Sequence, residues 1–137
     1  MLVWVNRSSL VLLIILWGFT AIHFGDLPET IPTHFNALGE PDKLSSKTHC
    51  WGIPILALLL YLLLNQVLKR KEIQPKEFKV ISCLQLSLIM IFGYIQVSSF
   101  LVALSRTEGL GRGFLPISIL LLVVPSIWVI LQKNKAE

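Results

Sequence analysis

The side chains able to do chemistry gather in one short stretch of this sequence. Between Asp26 and Cys50 stand His34, Asn36, Glu40, Asp42 and His49, a mixture of imidazole, amide and carboxylate groups able to ligate a divalent metal. Their spacing matches no metal motif of the HExxH kind, so His34 and Asn36 read instead as bonding the turn's own backbone groups. Ser45, Ser46, Thr48 and His49 set hydroxyls beside an imidazole, the raw material of an activated nucleophile. They lack the strand-turn-helix setting that activates a serine. No catalytic residue, metal or cofactor is assigned; His34, Asn36 and Asp42 stand as candidates for binding a ligand.

The stretch that carries them is long for a connector, 25 residues from Asp26 to Cys50, and such loops are either functional or disordered. Its composition argues for order. Pro28 and Pro32 stiffen the entrance, Pro41 stiffens the exit, and Gly39 offers the positive φ that lets Asn36 to Glu40 turn sharply. Ile31 and Phe35 are four apart and can bury against helix ends together, so PETIPTHF reads as a short helical or turn element. The expectation is a folded cap.

The elements that must hold this cap are apolar blocks. With 54% hydrophobic and 15% charged residues in 137, the chain is poorer in charge than a soluble domain. Its blocks at residues 9–25, 51–68, 80–104 and 113–131 each have the length that crosses a hydrocarbon core as a helix. ILALLLYLLLNQVL, Ile55 to Leu68, is apolar all round until Asn65, which excludes an amphipathic helix facing water. The expected fold is all-α, a single membrane domain of four transmembrane helices with an ordered outer loop at 26–50. Arg7 followed by LVLLIILW resembles a secretory leader, but bulky Ile22, His23 and Phe24 stand where a cleavage site needs small residues, so the block reads as a retained anchor.

Positive charge sets the expected orientation. Eight of the twelve Lys and Arg residues lie in the N-terminal arm (Arg7), the second connector (Lys69, Arg70, Lys71, Lys76, Lys79) and the tail (Lys133, Lys135). Lys43, Lys47, Arg106 and Arg112 are left for the other two connectors. Short loops rich in these residues stay in the cytoplasm, so both termini are expected inside a bacterial inner membrane and the cap outside. Basic residues at an anionic leaflet account for the net charge of +4 without nucleic acid as a partner. Cys50 and Cys83 then lie most of a bilayer apart, too far for a disulfide.

The third block carries a polar stripe. Gln85 and Gln96 are eleven residues apart, nearly three whole turns, and Ser82 and Ser99 lie close to the same line. Such side chains read as hydrogen-bonding glue between helices, since no Asp, Glu, Lys or Arg lies in any block to serve a proton or ion path. Pro116 falls in the first turn of the fourth block and Pro125 in its interior, where it is expected to kink the helix.

The connector LPETIPTHFNALGEPDKLSSK also resembles the signature of the small membrane domain at the N-terminus of SdpI-type bacterial immunity proteins. The matching positions are Leu27, Pro28, Ile31, Pro32, His34, Phe35, Asn36, Gly39, Pro41, Asp42 and Lys47; Leu44 departs, where an aromatic residue is expected. The resemblance implies a role in toxin immunity or envelope sensing, and no catalytic role for the motif residues. Three readings follow. In the first, a non-enzymatic membrane protein binds an extracytoplasmic peptide toxin or a lipid through its cap. In the second, an accessory subunit packs against a partner membrane protein. The third, a metal-dependent membrane enzyme, needs a metal that the spacing does not provide for.

Overall fold

The computed structural model describes residues 2–111 and 113–131, with the side chains at 2–5, 125, 126 and 128–130 outside the description. Arg112, Lys133 and Lys135, which enter the charge count, lie outside the described residues. Helix α1 (Leu2–His23) leads through a short 3-10 turn (Phe24–Asp26) into strand β1 (Thr30–Phe35) and strand β2 (Pro41–Ser46). A second 3-10 turn (Lys47–Trp51) leads into helix α2 (Gly52–Leu68), followed by α3 (Pro75–Ala103) and α4 (Phe114–Leu131).

Three of the described helical segments are long and apolar enough to cross a membrane: Asn6–Asp26, Lys47–Leu68 and Pro75–Ala103. In α4 the apolar stretch among the fully described residues is Phe114–Val124. The expected blocks are thus present as helices, and the expectation of four spans is supported for three of them. Pro125 lies inside α4.

The expectation of an all-α fold is corrected in the connector, where PETIPTHF forms no helix. Its residues enter an antiparallel hairpin pairing Thr30 with Ser46, Ile31 with Ser45, Pro32 with Leu44, His34 with Lys43 and Phe35 with Pro41. A spacing of four is even, so it places Ile31 and Phe35 on one face of a strand as readily as on one face of a helix. Pro32 decides between them: inside a helix it removes a backbone bond, whereas an edge strand tolerates it. Irregular pairing around His34 marks a bulge.

The basic connector is also shorter than expected, because α3 begins at Pro75 instead of near residue 80. QPKE is the reason. Gln74 caps the helix, Pro75 opens it, and the Glu77 carboxylate accepts the Gln74 backbone N–H at 3.0 Å, completing a capping box.

Helix α3 is central and packs against α1, α2, α4 and β1. Leu13, Leu16 and Ala57 form one buried cluster with Trp17, Leu58, Tyr61 and Phe92 around it. A second cluster of Leu27, Ile31, Cys50 and Phe100, flanked by Phe19, Phe24, Trp51 and Ala103, joins the cap to the helix ends. Both cysteines are free thiols.

A candidate binding site beneath the hairpin cap

The hairpin is held at its tip by the α3–α4 connector, at its middle by α3 and at its base by the turn after α1. Its turn is built by Asn36, whose side-chain oxygen accepts the backbone N–H groups of Leu38 at 2.9 Å and Glu40 at 3.0 Å. The Asn36 amide also donates to the Glu40 carboxylate at 2.9 Å, so this side chain is spent on the turn itself. Gly39 takes the left-handed φ of +80° that closes the turn.

The tip then docks on the connector between α3 and α4. Leu110 N–H donates to Gly39 O at 2.7 Å, and the Tyr94 hydroxyl donates to Leu110 O at 2.6 Å. Tyr94 also stacks on Phe114 with ring centroids 5.6 Å apart, so both flanks of this connector are held. At the middle of the hairpin the Ser99 hydroxyl donates to Pro32 O at 2.8 Å. At the base, Lys47 pairs with Glu29 at 2.8 Å and lies over the Phe24 ring.

Gln96 sits where these ties converge. It is 1% exposed, and its amide donates to Thr20 Oγ1 at 3.0 Å and to Cys50 O at 3.1 Å, joining α1, α3 and the turn before α2. The polar stripe expected on α3 is present as a buried face: Ser82, Gln85, Gln96 and Ser99 are all buried. Its two ends differ. Gln96 and Ser99 make short bonds across to other elements, whereas Gln85 donates to Tyr61 O at 3.4 Å, with its Oε1 and the Ser82 hydroxyl unpaired among the described residues.

Under the hairpin lies a cavity of about 230 Å³, lined on the cap side by Ile31, Pro32, Thr33 and Phe35 and on the helix side by Ile53, Ile95, Gln96 and Ser99. His49 and Cys50 complete its edge. The volume is below the roughly 300–1,000 Å³ of a typical small-molecule pocket, and suits a single side chain or the end of a larger ligand. Walls that are mostly apolar with a few converging polar groups are the usual make-up of a recognition pocket.

Of the sequence candidates, Pro32 and Phe35 line this cavity while His34 and Asp42 do not. Those two meet on the outer surface of the hairpin, His34 Nδ1 donating to Asp42 Oδ1, with the histidine side chain 66% exposed. Pro28 and Pro41 are exposed at the two ends of the hairpin, consistent with stiffening. His23 pairs instead with Asp26 at 3.2 Å. Thr33 and Ser45 hydroxyls bond each other at 2.9 Å, and no hydrogen bond joins either to His34 among the described residues. Among those residues, no group of three or more His, Cys, Asp or Glu side chains gathers as a metal site.

Sequence reasoning missed Thr20, Tyr94 and Gly109 to Gly111 as supports of the cap. The glycine-rich GLGRG run was the available signal for the last, since a close backbone approach needs residues without Cβ. A further feature, also missed, is an aromatic cluster at the cap end of the helices, in which Trp51 lies 5.6 Å from Trp17 and 5.9 Å from Phe24.

Comparison with known proteins falls on this same region. Residues 11–58 match the model of a family described as a domain of unknown function (DUF1648). An uncharacterized protein of Archaeoglobus fulgidus is 40% identical over 48 residues, which make up 35% of this chain and 26% of that relative. The chain therefore spans about a quarter of the length of the curated relative it matches. No solved structure matches. The stretch shared with the family model is the one that carries the hairpin, both 3-10 turns and the neighbouring parts of α1 and α2.

Proposed function

We propose that this is a non-enzymatic bacterial membrane protein whose extracytoplasmic cap binds a peptide or lipid ligand, acting in toxin immunity or envelope sensing. The observation that carries the reading is the cavity of about 230 Å³ between a multiply tethered hairpin, the turn before α2 and the helices α2 and α3, with the Gln96 and Ser99 side chains in its wall. A pre-formed cap loses little conformational freedom on binding, which favours affinity. The hairpin surface adds a second set of groups: the His34–Asp42 pair and the exposed Leu38 and Leu44 are a polar and apolar mixture suited to an amphipathic peptide or a lipid headgroup.

In this reading α4 completes a four-helix bundle, both termini and the α2–α3 connector lie inside, and the cap lies outside. The charge distribution supports that orientation, and the resemblance of the cap motif to SdpI-type proteins supports the immunity role.

The test is genetic and direct. Deleting the gene is expected to sensitise cells to a membrane-active peptide, and His34→Ala is expected to reproduce most of that sensitivity at unchanged protein level. A single exposed contact of this kind is worth up to about tenfold in affinity. Unaltered sensitivity to a panel of such peptides in both strains would refute the reading.

The second reading, an accessory subunit of a larger assembly, is favoured by one observation. Leu10, Leu13, Ile14, Trp17, Gly18 and Ala21 of α1, with Leu58 of α2, line an open and almost wholly apolar groove in which Gly18 leaves space for a close neighbour. Small residues at such a groove let a partner helix approach. Co-elution with a fixed membrane partner in mild detergent would support this reading, and a lone monomer or homodimer would count against it.

A further inference from the structure

At the opposite end of the helices from the cap, the segment between α2 and α3 encloses an open groove of about 530 Å³. Its floor is apolar, formed by Val67, Ile73, Val80 and Ile81, all half-buried. Its rim carries exposed Arg70, Lys76, Glu72 and Glu77. The size falls within the range of small-molecule sites.

The charges on this rim are unequal in what they are free to do. The Glu77 carboxylate is committed to the Gln74 N–H at the start of α3. Lys69, Arg70, Lys71, Lys76 and Lys79 have no carboxylate within ion-pair distance among the described residues. The segment LKRKEIQPKEFK thus holds five cations against Glu72 and Glu77, and none of the five has an ion-pair partner among the described residues. A surface of solvated charges would account for the lysines alone, but not for the apolar floor that they surround.

We propose that this groove is a binding site for an anionic phospholipid, the phosphate held by Arg70 and Lys76 and the start of an acyl chain lying on Val67, Ile73, Val80 and Ile81. The groove joins two helices that are each long and apolar enough to span a membrane, which puts it at the bilayer edge whichever way the chain faces. There a headgroup and a chain arrive together, and the groove offers one surface for each. Arginine gives a planar fork of donors suited to phosphate, and each basic side chain near an anionic leaflet adds to attraction. Glu72 repels an anion but is outnumbered by the surrounding cations, which set the sign of the selection.

The experiment uses the full chain purified in non-ionic detergent, with phosphatidylglycerol or phosphatidylcholine added and the retained lipid read by native mass spectrometry. Wild type is expected to retain one phosphatidylglycerol in preference to phosphatidylcholine by about tenfold, a preference that weakens at high salt. Arg70→Gln with Lys76→Gln is expected to remove most of the preference, whereas Arg106→Gln in the α3–α4 connector should leave it intact. Glycerol phosphate, which has the headgroup chemistry without a chain, should fail to compete. Equal retention of the two lipids by wild type, or an unchanged preference in the double variant, would overturn the assignment. Competition by glycerol phosphate would overturn the role of the apolar floor. Should the double variant not fold, Arg70→Gln alone is measured in its place, and an unchanged preference would overturn the assignment.

Discussion

Replacing Gly109 by alanine is expected to lift the hairpin tip from the α3–α4 connector and to destabilise the fold by about 1–3 kcal/mol. A Cβ at this position would lie 2.3 Å from Gly39 O and 3.2 Å from its carbonyl carbon. Both atoms are backbone, so no side-chain rotation relieves the clash. The turn cannot yield cheaply, because Asn36 holds it through the Leu38 and Glu40 N–H groups and the Glu40 carboxylate. Separation also breaks the bond from Leu110 N–H to Gly39 O, worth about 1 kcal/mol. The readouts are the thermal unfolding midpoint in detergent and the rate of proteolysis within residues 36–40. A midpoint and cleavage rate equal to wild type would show that the tip is not held here.

Gln96→Leu is expected to lower stability by about 1–2 kcal/mol, the upper range for a single interhelical hydrogen-bonding side chain in a membrane protein. The substitution nearly conserves volume, so a cavity contributes little. What is lost is the pair of donations to Thr20 Oγ1 and Cys50 O, which leaves the Cys50 carbonyl buried without that donor. Thr20 fares better, because its hydroxyl still donates to Leu16 O at 2.9 Å.

Gln85→Leu provides the contrast. Gln85 makes one long bond and buries an unpaired oxygen, so removing its amide should cost less than the Gln96 change or even stabilise. Unfolding of the two variants side by side in the same detergent checks the ranking. A larger loss at Gln85 would overturn the view that the cap end of the stripe is the structural junction.

These two predictions mark where sequence reading and structure part. The polar face of α3 was legible because 3.6-residue periodicity aligns Ser82, Gln85, Gln96 and Ser99 whatever surrounds them. Which end of that face is well bonded was not legible, since it depends on Thr20, Cys50 and Pro32, 46 to 76 residues away along the chain. The order of the connector was likewise readable from its prolines and Gly39. Its hairpin form was not, because the four-residue spacing of Ile31 and Phe35 satisfies both periodicities.

The candidate site shows the same division. His34, Asn36 and Asp42 drew attention as the polar members of a rigid loop, yet the fold gives them different work: Asn36 shapes the turn, and His34 and Asp42 pair on its outer surface. The cavity instead lies under the other face of the hairpin, against Ile53, Ile95, Gln96 and Ser99.

By itself the sequence determined that the chain has helices long and apolar enough to cross a membrane, roughly where they form, the buried face of α3 and the order of the long connector. Each of these follows from local composition or periodicity, which the chain carries wherever it goes. Only the tertiary structure decided that the connector pairs as a hairpin, that its tip rests on Gly109 to Gly111, and that a cavity opens between it and α3. Those depend on contacts between distant segments, and no local pattern encodes which segments meet.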